Sequence, residues 1–217
     1  MKINATLKKL IVELLGAVLF MTAYGAAVAA NGSQLATVGV AATLGLAILI
    51  TASISGGHLN PIVSIVAYSR KEISLTEFFG YLAAQFVGAL IGIWIGLSIQ
   101  GQTVSPISNS GSATMGELVG EWVFAGGLVF LYGYLATNKM ANLIPAAVAL
   151  WILAGLSLTP SGAQANPAVS VALMLAGHPI GVQGGLIIAQ VVGAATAIIG
   201  LNVFNAKAVK AKKPVKK

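Results

Sequence analysis

The chain reads as long apolar blocks separated by short polar breaks. The first block runs from about Leu7 to Ala30 and holds Glu13; Asn31-Gly32-Ser33-Gln34 ends it. Others run from about Leu35 to Ile54, Phe78 to Ile99, Thr114 to Ala136, Leu143 to Leu158 and Val182 to Phe204. A helix needs ~20 apolar residues to cross a hydrocarbon core about 30 Å thick, and all but the somewhat short fifth block meet that length. Two further apolar stretches, one after Asn60 and one from Asn166 to about Ala176, suffice for half a crossing only. Arg70-Lys71-Glu72, Gly101 to Ala113, Thr137-Asn138-Lys139 and Gly177-His178-Pro179 supply the turns and the one longer loop. The pattern predicts an all-α membrane protein with six transmembrane helices plus two re-entrant half-helices.

The two half-length stretches begin alike. Ser55-Gly56-Gly57-His58-Leu59-Asn60-Pro61-Ile62-Val63-Ser64 and Ser161-Gly162-Ala163-Gln164-Ala165-Asn166-Pro167-Ala168-Val169-Ser170 share one pattern. Asn is a favoured N-cap and Pro is best tolerated at the first helical position, so each reads as an irregular run opening a short helix. Irregular backbone at membrane depth is tolerated only when buried in protein or lining a wet cavity. Two such interruptions therefore predict a pathway. The halves also align as a repeat. Glu13 to Phe20 matches Glu117 to Phe124, and Ala84 to Ala89 matches Ala189 to Ala194. Repeat 1 then covers about 7–100 and repeat 2 about 114–204, between a short lead (1–6) and a tail (205–217). Three spans per repeat make the second copy inverted, a recurrent transport architecture.

Composition closes off other classes. With 217 residues, 57% of them hydrophobic and 8% charged, and a mean hydropathy of +0.91, the chain is no soluble globular domain. The 26 glycines suit helices whose backbones approach closely. The absence of cysteine removes disulfides and thiolate metal sites, and no metal or cofactor is expected. The first block exceeds a signal-peptide core and lacks a convincing cleavage site, so it counts as a span. The net charge of +7 raises nucleic acid as a partner, but half of the twelve basic residues lie in the tail. There they solvate a helix end and meet anionic headgroups. The predicted topology places all twelve on the side of the two termini, which marks that side as cytoplasmic.

Paired Asn-Pro motifs in a six-span inverted repeat, with Glu early in spans 1 and 4 and Ser-Gly-Gly-His-Leu-Asn-Pro in the first motif, resemble the major intrinsic protein family, the aquaporins and aquaglyceroporins. The resemblance covers about Leu7 to Phe204. It implies half-helices that dip in from opposite faces and meet amino end to amino end at a pore waist. Asn60, Pro61 and Ile62, with Asn166, Pro167 and Ala168, would form that waist, the two Asn amides donating to a passing oxygen. Carbonyls of Gly56, Gly57, His58, Gly162, Ala163 and Gln164 would form an acceptor ladder, as in aquaporin-type pores generally. Glu13 and Glu117 would brace the motif loops. The selectivity filter would fall at Val40, Ala154 (to within a residue), Ala163 and Val169. Val169 stands where the family usually has Arg, Ser170 where glycerol-conducting members usually have Asp, and Ile62 in place of Ala. A filter of four apolar residues implies a wide, uncharged constriction.

The resulting expectation is a passive channel, not an enzyme, for water and small uncharged solutes such as glycerol, urea, ammonia or metalloid acids. The family further implies a homotetramer with one pore per protomer, in the plasma (inner) membrane. A water-selective pore and an ion- or proton-coupled transporter are the competing readings. Several residues carry two readings each. Glu13 and Glu117 read as braces or as a proton relay. His58 reads as a loop brace or a pH gate. Phe20 and Phe124 read as channel lining or core. Glu121 has no acidic counterpart in repeat 1, where Ala17 stands, and fits a vestibule or a subunit interface. His178 reads as a surface turn.

Overall fold

The computed structural model describes residues 4–30 and 32–211. Six long helices, α1 (Ala5–Ala29), α2 (Gln34–Ser55), α4 (Leu75–Ile99), α5 (Met115–Thr137), α6 (Ile144–Leu158) and α8 (Ile180–Ala211), alternate with two short ones, α3 (Pro61–Ser69) and α7 (Pro167–Leu173). Among the described residues six helical segments are long and apolar enough to cross a membrane; the fifth reaches 18 residues because a 3-10 turn at Ala141–Leu143 leads into α6. The backbone of α8 continues past Phe204, so the expected tail begins as helix. Lys2 and the tail lysines from Lys212 onward lie outside the described residues.

Local sequence sets the helix ends. Asn4 caps α1 by accepting from Thr6 N at 3.0 Å, and Ser33 caps α2. Ser74 with Glu77 and Thr114 with Glu117 form capping boxes on α4 and α5, each satisfying otherwise orphaned amides in both directions. Glu117 therefore serves its own helix end and braces no motif loop, contrary to expectation. Gly56, at φ 93°, ends α2 in the left-handed conformation.

Glycines decide how the long helices pack. In lipid, apolar side chains gain little by facing each other, so close backbone contact takes over. Along α4, Gly88, Gly92 and Gly96 lie against the Leu14, Val18 and Thr22 carbonyls of α1, and Gly25 of α1 returns the contact on Ile93. A Cβ on Gly88 or Gly92 would come within 2.6 Å of those oxygens. Gly193 of α8 sits likewise against Trp122 of α5, and Gly126 against Gly193. The α1–α4 and α5–α8 pairs thus correspond across the repeats, while α2 meets α6 where Gly45 faces the Pro145 carbonyl. The short helices are shared: α3 packs on α4 and also on α5 and α8, and α7 packs on α8 and α4.

In this topology the start of α1, the described end of α8 and the α3–α4 and α5–α6 turns share one end, with Lys8, Lys9, Arg70, Lys71 and Lys139. There Lys9 pairs with Glu77 at 2.7 Å, and Arg70 pairs with Glu72 at 2.8 Å and donates to the Gly133 carbonyl at 3.1 Å.

The glycine contacts are testable by thermal unfolding of the detergent-solubilised protein. Gly92→Val drives a branched side chain onto the Val18 carbonyl and is expected to cost about 3 kcal/mol or more, or to prevent folding. At Gly39 no atom beyond its chain neighbours and its own helix backbone stands within 4 Å of an added Cβ. Gly39→Ala should leave the transition within about 1 kcal/mol of wild type, in the stabilising direction.

Candidate functional site

Glu13 is fully buried on α1 and faces the first motif. One carboxylate oxygen accepts from Ser55 Oγ (2.6 Å) and His58 N (2.9 Å), the other from Leu59 N (2.8 Å) and Gln85 Nε2 (2.8 Å). Glu121, equally buried on α5, does the same for the second motif. Its oxygens accept from Ser161 Oγ (2.7 Å) and Gln164 N (2.8 Å), and from Ala165 N (2.8 Å) and Gln190 Nε2 (2.9 Å). Four donors fill the four lone-pair positions of a carboxylate. The brace of the second motif is therefore Glu121, neither a vestibule nor an interface residue. The register of the repeat across α1 and α5 lies four residues, about one turn, from the one read in the sequence. Glu13 corresponds to Glu121, Phe20 to Leu128 and Tyr24 to Tyr132.

The glutamines and motif serines complete each brace. Gln85 also donates to Ser64 Oγ at 3.0 Å, and that hydroxyl meets His58 Nδ1 at 3.1 Å. Gln190 donates to Ser170 Oγ at 3.0 Å, which donates to Gln164 Oε1. Tyr81 adds a hydrogen bond to the Ser55 carbonyl at 2.7 Å. His58 is thus tied into its loop and flanked edge-on by Tyr81 and Tyr132. From the sequence, Ser64 and the two glutamines carry no site role, and Ser170 only marks the place where glycerol-conducting members usually have Asp. Their signal was repetition, since each recurs at the matching point of the other half.

The loop backbone adopts its shape around these carboxylates. Leu59 (φ 49°) and Ala165 (φ 46°) are left-handed without being glycine, which costs about 1–2 kcal/mol each. The turn aims two successive N–H groups at one anion, an arrangement known as a nest, and those bonds hold the strained residues. At Gly57 (φ 61°) a Cβ would also stand 2.9 Å from the Ile48 carbonyl, so this position needs glycine twice over.

The motif asparagines cap and cross. Asn60 Oδ1 accepts from Ile62 N and Asn166 Oδ1 from Ala168 N, both at 3.0 Å, behind Pro61 and Pro167 at the helix starts. Asn60 Nδ2 then donates to the Ala165 carbonyl at 2.8 Å, and Asn166 Nδ2 to the Leu59 carbonyl at 3.0 Å. Each amide keeps a second N–H beyond that bond. Beside the pair runs a narrow cavity of about 20 Å³, room for about one water. Gly57, His58, Leu59, Asn60, Gln164 and Asn166 form its polar side. Phe20, Leu44, Ile48, Val63, Leu128, Val148 and Ile152 form its apolar side, and Tyr132 also reaches it.

Not every expected residue lines this cavity. Gly56, Gly162 and Ala163 flank it in the motif loops, Ala163 fully buried there, and Val40 and Val169 are buried in the surrounding apolar cluster. Ala154 is half-buried and lies about 200° around α6 from the lining residue Ile152. The α6 face towards the second motif is instead carried by Gly155, where a Cβ would meet the Ala163 Cβ, and by Leu156, whose Cδ2 approaches Gly162. Of the two phenylalanines, Phe20 lines the cavity, whereas Phe124 packs against Trp151 (ring centroids 4.8 Å apart) and Gly155. His178, expected as a surface turn, is half-buried, and that burial lowers its pKa below the usual imidazole range.

The two acidic residues of α5 separate by mutation. Glu121→Ala leaves four donors unpaired, three of them buried, and is expected to cost upward of about 3 kcal/mol, read as loss of a cooperative unfolding transition. Glu117→Ala removes a cap and should cost about 1 kcal/mol.

A family model described as major intrinsic protein matches residues 1–159. The chain is 30% identical over 152 residues to an aquaglyceroporin of Toxoplasma gondii, covering 67% of this chain and 56% of that one. It is 30% identical over 154 residues to aquaporin TIP1-2 of Zea mays, covering 67% and 61%. The chain thus spans less than two thirds of the length of these relatives. A glycerol uptake facilitator protein-like 6 of Lactiplantibacillus plantarum matches at 27% over 223 residues, 93% of this chain and all of that one. The solved aquaglyceroporin of Plasmodium falciparum shares the fold, with a TM-score of 0.70 at 21% identity over 89% of this chain and 94% of that one. With the family model matching most of its length and the braced Asn-Pro loops in place, the chain belongs to the major intrinsic protein family.

Proposed function

We propose that the protein is a passive channel for water and small uncharged solutes, with a wide outer constriction that carries no cation. The observation that carries this reading is the crossed asparagine pair, set between the amino ends of α3 and α7 and beside a cavity with one polar and one apolar wall. A water oxygen that accepts the two remaining Asn N–H groups turns its hydrogens towards the carbonyls on either side. It then cannot relay a proton along a wire through the waist, as in aquaporin-type pores generally. The apolar wall offers the solute nothing to bind, so passage stays fast. Glu13 and Glu121 have their lone pairs occupied, which leaves them bracing rather than relaying protons.

The relatives named for glycerol and those named as aquaporins both support conduction of neutral solutes. The width of the filter rests on Val40, Ala163 and Val169, none of them bulky or charged. Leu156 replaces Ala154 as its fifth-span member. Glycerol and urea are the expected solutes beside water, and ammonia and undissociated metalloid acids are of the same kind. The clustering of the described basic residues at one end supports cytoplasmic termini in a plasma membrane. The glycine-rich helices are compatible with a homotetramer in which each protomer has its own pore.

Stopped-flow light scattering on proteoliposomes tests the reading. Vesicles shocked with an impermeant sugar should shrink fast, and those shocked with glycerol or urea should shrink and then reswell fast. In Val169→Arg the reswelling should disappear while water flow remains. Fast shrinkage without reswelling in the wild type would instead leave a water-selective channel.

A further inference from the structure

Tyr24 on α1 and Tyr132 on α5 occupy equivalent places in the two repeats, in register with Glu13 and Glu121. Both are nearly buried, at 6% and 8% exposure. Among the described residues neither phenol finds a hydrogen-bond partner, a costly state for a buried polar group. Yet neither is among the sealed, unpartnered polar atoms, which are the Oε1 atoms of Gln85, Gln183 and Gln190. Each hydroxyl therefore opens onto space that a small molecule can reach.

For Tyr132 that space is the cavity beside the crossed asparagines. Tyr132 lines the cavity, with its hydroxyl 3.8 Å from where a Cβ on Gly56 would stand and its ring edge-on to His58. The Tyr24 hydroxyl is 3.9 Å from the corresponding point on Gly162, next to Leu156 Cδ2, and its ring is edge-on to the cavity residue Phe20. Gly56 and Gly162 each stand four residues before a motif asparagine, so the two phenols sit towards opposite ends of the path. Around Gly162 the side chains of Leu156 and Ala163 offer no hydrogen bond, and the Ser161 hydroxyl is engaged with Glu121 and Ala163 N.

We propose that Tyr24 and Tyr132 are specificity-determining residues whose hydroxyls hydrogen-bond passing solute at the two ends of the pore, favouring neutral solutes with several hydroxyl or amide groups. The proposal rests on the channel reading above and names its preferred substrate class. A phenol both donates and accepts without carrying charge. It returns to a polyol or urea one of the bonds lost on leaving water, while a lone water gains less because it already bonds to the loop carbonyls and asparagines. At the far end Tyr24 supplies a polar contact where the family's usual Arg is absent, and it does so without excluding by charge.

The test removes only the oxygen. Wild type, Tyr24→Phe, Tyr132→Phe and the double variant are reconstituted, and water, glycerol and urea permeabilities are measured by stopped flow. Each single variant should lower glycerol and urea permeability by roughly threefold to tenfold, the value of one hydrogen bond, and the double variant should combine the losses. Water permeability should change less than about twofold, and the thermal transition should not fall, since the hydroxyls hold nothing in the protein. An unchanged glycerol-to-water ratio overturns the proposal and leaves the channel reading standing. Equal loss for all three solutes, or a lowered thermal transition, assigns the hydroxyls to packing and overturns it as well. A wild type impermeable to everything removes both readings together.

Discussion

A chain that leaves its helix inside a bilayer must still pair the backbone amides it lays bare, and here two buried carboxylates do that. Glu13 and Glu121 each gather two loop amides, a serine hydroxyl and a glutamine amide. The loops could otherwise hold neither their left-handed residues nor their aim. The donors in turn dictate the packing around them. Gln85 reaches Glu13 only because α4 lies against α1 on glycines, and Gln190 reaches Glu121 through the corresponding α5–α8 contact. The same requirement explains why so few polar residues suffice in so apolar a chain. Those present are concentrated where the backbone breaks.

Most of the architecture was legible in the sequence, because its signals were long or doubled. Six apolar blocks, two matching Asn-Pro motifs and the placement of basic residues needed no knowledge of side-chain contacts. The register between α1 and α5 was harder. Glu117-Leu-Val-Gly resembles Glu13-Leu-Leu-Gly, and helices that are apolar on every side have no polar face to fix their rotation. One local signal could have separated the two glutamates. Thr114 stands three residues before Glu117, the spacing of a capping box, which leaves Glu121 free for the loop.

The α6 face beside the second motif was less legible for a different reason. Counting back from Asn166 to α6 crosses Thr159 to Ala165, an irregular stretch whose geometry comes from its hydrogen bonds to Glu121 rather than from any helical rule. An error of two residues on a helix turns a side chain about 200° away, and it is Leu156, not Ala154, whose side chain approaches Gly162. The phenols of Tyr24 and Tyr132 were hidden likewise, since their significance depends on which neighbours fail to reach them.

The crossed asparagine bonds also set an order of events during synthesis. Asn60 finds its acceptor on Ala165, which lies 105 residues later, so at about 5–20 residues per second the first loop waits roughly 5–20 s for its partner to be translated. Until then a polar loop sits in the membrane with its waist half-built, and α3 lacks the α5 and α8 surfaces it packs on. Neither half holds a complete waist alone. An ancestral half-length chain would have needed to insert in both orientations and meet its inverted copy, and in the present protein the ribosome delivers that copy in sequence.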